Sequence, residues 1–425
     1  MPRLTRRQAL ASLGALSLPL DRLLAQSPPS PAPMPTAPRP LAELAPDLPN
    51  FQPMLDWLAR EHTPQLSFLA PQWKSLEAWQ AVARPLLKDR LGYAPTGLPL
   101  TAKIVRREER AGFTVETVHF SATPTYSIPA RVLIPNNRRG KLPAVLALHC
   151  HSGKYTWGHE KILSSPGEPA FLTEFRQGTY GRPWTEALAR RGFIVIVIDA
   201  FYFGERRLDV SALESSRVFP EAKEAHTHAL AAQPGTKEWV DATNRVCSFY
   251  EHATAKALTA TGATWPGLHV WDEMRTVDYL VSRPDVDATR IGCVGLSGGG
   301  FRTAMAIAAD SRIKAACVTG WMTAFAHQLK HHLRHTWMIY TPGLYRSLDL
   351  PDAAALHAPG ALLVQQCRRD KLYPMTGMQA AVDQLTQIYA KAGIPERFRG
   401  TFYDEPHCFQ PPMQEEAFAW MEKWL

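Results

Sequence analysis

The sequence predicts an α/β protein with a mostly parallel central sheet, helices on both faces and a cap inserted above the sheet. Three observations predict it. Apolar runs at 144–148, 193–198, 291–294, 315–318 and 361–364 lack polar alternation, as strands buried on both faces do. Helix-period patterns lie between them, notably at 271–280 and at 376–392 with Gly393 behind. Alternating strand and helix calls for right-handed crossovers and a sheet covered on both sides. The third observation is the segment 290–309, where a short apolar run passes through Gly295-Leu296-Ser297-Gly298-Gly299 into a helical pattern. It reads as strand, sharp turn, helix.

From the N-terminus, Arg3, Arg6 and Arg7 precede a short apolar core, and Leu23-Leu24-Ala25 offers small-residue cleavage. Residues 1–26 are therefore expected to be a twin-arginine-type export signal, and the protein periplasmic or secreted. The apolar core is too short to span a bilayer, so stable membrane insertion is not expected. Residues 27–50 are rich in proline and alanine and read as an extended linker. The remainder, 51–425, is expected to be the α/β domain.

Helical spacing of Met54, Leu55 and Leu58, then Trp73, Leu76, Trp79, Val82 and Leu86, predicts a helical N-terminal extension over 51–92. Residues 113–120 alternate as a strand, and 128–135 follow as another, an antiparallel start to the sheet. The interval 205–267 breaks the strand–helix rhythm and is expected to form the cap over the strand C-termini, the alternative being a surface excursion remote from the site.

The formal charge of +8 is mild for 425 residues, and no Lys/Arg block with interleaved aromatics stands out. Nucleic acid is thus not an expected partner, whereas a basic surface suits an anionic polymer. The six cysteines are scattered, without a C-x-x-C. Cys293 and Cys317 read as buried apolar residues; Cys367 and Cys408 flank candidate catalytic loops, where a bridge is an open alternative.

A serine hydroxyl needs a base to take its proton, and the base needs an acid to orient it. On a strand-turn-helix elbow these follow in the order serine, acid, histidine, on loops after later strands. Asp370 lies just past the 361–364 run, whereas the loop after 315–318 holds no carboxylate. Pairing with Arg368 or Arg369 is the alternative for Asp370. His407 follows in Asp404-Glu405-Pro406-His407, ahead of a final helical pattern. Ser297, Asp370 and His407 are therefore the candidate nucleophile, acid and base. The amides of Gly298 and His151 are the candidate oxyanion donors. No cofactor is called for.

On these residues the chain from about 128 onward resembles α/β-hydrolases of the dienelactone hydrolase and acetyl xylan esterase type. The elbow matches, as do 199–206, 283–287 and the Asp370 and His407 loops. The resemblance implies an α/β-hydrolase fold and the serine, aspartate and histidine roles. Such enzymes usually carry His-Gly at the start of the oxyanion loop, and here it is His149-Cys150, which places a side chain where glycine is usual.

His327, His331 and His335 fall at i, i+4 and i+8, with His332 beside them. On a helix they would share a face at zinc-ligand spacing, but no carboxylate or cysteine completes a set, and a basic polar face without metal is expected. Trp321, Trp337 and Tyr340 are read as an aromatic wall for substrate. The expected function is a serine esterase acting through an acyl-enzyme on a small-molecule or oligosaccharide ester, including acetyl or uronate esters of plant polysaccharide. A prolyl-oligopeptidase-type peptidase is the rival within hydrolases, although the chain ahead of the catalytic part is short for a propeller. The rival from another class is a non-catalytic glycan- or envelope-binding protein on the same scaffold.

Overall fold

The computed structural model describes residues 45–95, 98–136 and 139–425. The expected signal and most of the expected linker lie outside them. Asp47, near the linker's end, donates its amide to Lys330 O at 2.6 Å.

Helices α1 (Gln52–Glu61) and α2 (Leu76–Leu91) come first, α2 capped by the Ser75 side chain and closed by left-handed Gly92. An antiparallel meander follows: β1 (Ala102–Arg110), β2 (Phe113–Thr123) and β3 (Tyr126–Pro135). The sequence analysis missed β1 because it is almost entirely exposed and charged. It is the sheet edge, where charge discourages further pairing.

Next come β4 (Leu142–Leu148), α3 (Ala170–Tyr180), α4 (Trp184–Ala189) and β5 (Ile194–Ile198). Short 3-10 turns then lead to α5 (Lys223–Ala231), α6 (Lys237–Ala260) and α7 (Trp265–Ser282). The chain continues through β6 (Val286–Leu296), α8 (Gly298–Ala309), β7 (Ile313–Thr319), α9 (Leu350–Ala355) and β8 (Ala361–Cys367). It ends with α10 (Met375–Lys391), β9 (Phe398–Tyr403) and α11 (Pro411–Trp424).

The sheet order is β1-β2-β3-β5-β4-β6-β7-β8-β9, antiparallel as far as β5 and parallel from there on. The apolar runs explain its placement. In β4, Ala144, Leu146 and Leu148 join one core with α2, α7, α8, α9 and α10, while Val145 and Ala147 join a second with α3, α4 and α11. A strand's period of two thus feeds both layers. Every parallel strand from β4 to β8 ends on the same side, and the loops there carry the site.

Candidate active site

Ser297 stands between β6 and α8 at φ 59°, ψ −119°, backbone that costs a non-glycine residue on the order of 1–3 kcal/mol. The neighbouring glycines explain how the turn closes. A β-carbon on Gly295 would strike the Gly299 carbonyl, and one on Gly299 would strike the Leu148 carbonyl of β4. The Ser297 amide donates to Thr319 O at the end of β7 (2.8 Å), and its carbonyl accepts from Phe301 in the first turn of α8 (2.8 Å). Held at both ends, the serine faces a cavity of about 310 Å³.

Asp370 follows β8 in a turn closed by its own amide on Cys367 O. Its side chain is fully buried; Oδ1 accepts the Leu372 amide at 2.8 Å, and Oδ2 accepts from His407 Nδ1 at 2.6 Å. Accepting that proton leaves Nε2 of His407 as the basic nitrogen. The alternative pairing is absent: Arg369 engages Asp404 and Glu405, and Arg368 stacks over Phe402. His407 lines the cavity with Ser297, and its ring rests against left-handed Gly320, where a β-carbon would come within 3.2 Å of Cε1. Among the described residues no hydrogen bond joins Ser297 Oγ to His407; such contacts often tighten only when substrate is bound.

The two expected oxyanion donors meet across the elbow. A β-carbon on Gly298 would lie 3.2 Å from the His151 amide nitrogen, and neither amide has an acceptor among the described residues. The cysteine at the usual glycine position is accommodated because Cys150 is buried in the second core and its amide donates to Tyr180 Oη at 3.1 Å. That leaves the next amide, of His151, directed to the elbow. His149 donates from Nδ1 to Cys150 O (3.0 Å) and accepts the Ala200 amide at Nε2 (3.2 Å). Burial holds its imidazole neutral, far below the usual histidine pKa.

Residues that sequence reasoning did not assign to the site lie at the cavity wall and behind it. Glu251 of α6 accepts from His151 Nε2 (2.7 Å), Tyr155 Oη (2.6 Å) and Thr336 Oγ1 (3.0 Å). Gly153 donates to His151 Nδ1 (3.0 Å), so that ring carries its proton on Nε2. Burial works to raise the Glu251 carboxyl, but the His151, Tyr155 and Thr336 bonds prevail and hold it below the usual range. The insertion is therefore not remote: its long helix is tied to the loop beside the elbow. Lys161, fully buried, donates to Cys150 O and His151 O. Arg334, exposed at the cavity wall, has no ion-pair partner among the described residues. His335 stacks on Tyr373 and donates to Leu372 O, and burial lowers its pKa. Glu251, Lys161 and Arg334 carry no local signature, and His335 entered the sequence reading only through the histidine spacing.

The aromatic wall is not assembled as expected. Trp321 and Tyr340 line a second cavity of about 210 Å³, separated from Ser297 by Ile339, which lines both. Trp321 is drawn inward because it packs edge-on against Phe301 of α8 at 5.1 Å. Trp337 borders neither cavity; it is exposed and donates to His252 Nδ1. The histidine face is not formed either, since 325–328 is a single 3-10 turn followed by irregular chain, with His327 bonded to Thr376. Cys367 and Cys408 are free thiols, with Cys367 Sγ donating to Cys408 O.

Comparison with known proteins agrees with this architecture. The model of the prolyl oligopeptidase family matches residues 260–425, from α6's end through the elbow to the C-terminus. The fold superposes on a provisionally assigned acetyl xylan esterase of Bacteroides fragilis NCTC 9343 with a TM-score of 0.60, at 16% identity, over 82% of this chain and 81% of that one. The chain has the α/β-hydrolase fold. The same hydrolase fold is shared with a glucuronoyl esterase of Solibacter usitatus, at a TM-score of 0.57 and 16% identity, over 84% of this chain and 96% of that one. In sequence, the chain is 26% identical over 357 residues to YtaP of Bacillus subtilis (strain 168), itself provisionally assigned as a hydrolase, covering 81% of this chain and all of that one.

Proposed function

We propose that this α/β-hydrolase is an exported serine esterase that cleaves a carboxylic ester through an acyl-enzyme. The observation that carries the proposal is the 2.6 Å His407–Asp370 bond in the cavity that holds Ser297, opposite two amides with no acceptor among the described residues. His407 Nε2 takes the Ser297 proton as Oγ attacks the ester carbon, and Asp370 stabilises the imidazolium. The Gly298 and His151 amides receive the charge that develops on the carbonyl oxygen. His407 returns the proton to the departing alcohol, then activates water to release the acid and free Ser297.

For the substrate we propose an acetyl or uronate ester of plant polysaccharide fragments. An Arg334 guanidinium at the cavity wall, without an ion-pair partner among the described residues, favours an acyl or alcohol part that carries a carboxylate. The esterase neighbours share the fold, which makes the class a natural first choice, and the paired N-terminal arginines support export.

A fluorophosphonate probe tests the mechanism: it should label the wild type and not Ser297→Ala, and equal labelling of the two, or of neither, sinks the reading. Comparing kcat/KM across acetyl, feruloyl and methyl-uronate esters tests the substrate class. A peptidase reading has the family match over 260–425 in its favour; faster turnover of a prolyl arylamide than of every ester in the panel would replace the esterase with it.

A further inference from the structure

The buried lysine of the oxyanion loop has no part in the chemistry above, yet its placement bears on that chemistry. A trans peptide sends its carbonyl and its N–H in opposite directions. The unit joining Cys150 to His151 therefore has Cys150 O at one end and the His151 N–H at the other. Lys161 Nζ holds the carbonyl end at 2.8 Å and the next carbonyl, His151 O, at 3.0 Å. His149 Nδ1 fills the other lone pair of Cys150 O. The opposite end of the same unit is the amide that lies against Gly298 and has no acceptor among the described residues.

A fully buried ammonium is costly unless it is paired. Among the described residues Lys161 makes no direct ion pair, and its contacts are the two carbonyls and the face of Phe203, 4.4 Å from the ring centroid. Burial lowers its pKa to about 8; Cys150, Glu160 and Asp199 oppose that fall, and Arg302 adds to it. The positive form therefore prevails at neutral pH. A charge kept there without a carboxylate against it is oriented to favour negative charge appearing on the far side of the peptide it grips.

We infer that Lys161 is a positioning residue for the oxyanion hole, orienting and polarising the Cys150–His151 peptide so that the His151 amide donates strongly to the transition-state oxyanion. The inference rests on the serine-esterase reading. A structural lysine would stabilise the loop equally in the presence of ground state and transition state. A polarising one acts mainly where charge develops.

The test compares Lys161→Met with wild type on 4-nitrophenyl acetate, alongside inhibition by an alkyl trifluoromethyl ketone, which forms a tetrahedral adduct, and by acetate as a ground-state competitor. Losing one direct oxyanion donor costs about 10²–10³-fold, so weakening one should lower kcat/KM on the order of 10–100-fold. The Ki of the ketone should rise by the same factor while that of acetate stays put. A loss of kcat/KM without matching loss of ketone affinity overturns the inference, as does equal weakening of both inhibitors. Circular dichroism establishes that the variant is folded; should Lys161→Met not fold, Lys161→Gln, which keeps a neutral donor, is held to the same criteria. Activity surviving in Ser297→Ala instead defeats the esterase reading itself. With Ser297→Ala inert and Lys161→Met indistinguishable from wild type, only the present inference fails.

Discussion

Ser297, Asp370 and His407 owe their placement to different forces. The serine is held by glycine packing, since Gly295 and Gly299 approach carbonyls too closely for any side chain. The aspartate is held by hydrogen bonds, one to an amide and one to the imidazole, with none of its carboxylate exposed. Asp370→Asn preserves the volume but offers His407 Nδ1 a donor or a weaker acceptor, favouring the wrong tautomer. We expect kcat to fall about 10⁴-fold with little change in thermal midpoint, as measured by steady-state kinetics and calorimetry. A fall of less than ten-fold would remove Asp370 from the proposed acid role.

At the scale of elements, α6 deserves its length because it carries Glu251 from the insertion to the oxyanion loop and to Thr336 together. Its folded pKa is depressed below 4.5, so the sign is that of a carboxylate whose stabilisation is present above the unfolded value. That contribution is lost as pH falls from 4.5 through the lowered value. Glu251→Gln should therefore lower stability by about 1.5–3 kcal/mol at pH 7, the range for hydrogen bonds to a charged group. The gap between variant and wild type should close in acid. Thermal midpoints measured from pH 7 to pH 3 check this, and a gap that widened in acid would contradict it. The same helix shows why the cap resisted sequence reading: a polar insertion has no period that says which surface it will cover.

At the scale of the molecule, the parallel strands end on one side, and the loops after β4, β6, β8 and β9 gather there with the 330s segment. The wall they build is not neutral, because Arg334 contributes a charge without an ion-pair partner among the described residues. Arg334→Ala should raise KM about ten-fold for a carboxylate-bearing ester and leave a neutral acetyl ester unchanged, a difference of about 1.4 kcal/mol. For the wild type the preference for the anionic ester should shrink as ionic strength rises and the charge at the exposed wall is screened. Equal effects on both esters would show that Arg334 shapes the wall and does not read charge.

The parallel sheet, the elbow at Ser297 and the order Ser297, Asp370, His407 were legible in the sequence because each rests on something local: apolar runs, glycine spacing, position after a strand. The edge strand β1 escaped because a charged, exposed strand draws its identity from the partner it pairs with, not from its own pattern. The aromatic wall and the histidine face failed for a related reason, since Trp321 turned towards Phe301 and the chain after 328 is not helical. Tertiary structure alone decided which amide of the 149–153 loop faces the elbow, that Lys161 is buried behind it and that Glu251 reaches it from α6. The elbow and Glu251 contacts join segments far apart in the chain and the Lys161 contact folds an irregular loop back over ten residues, and their energies come from burial and hydrogen bonding that exist only once the sheet has brought the loops together.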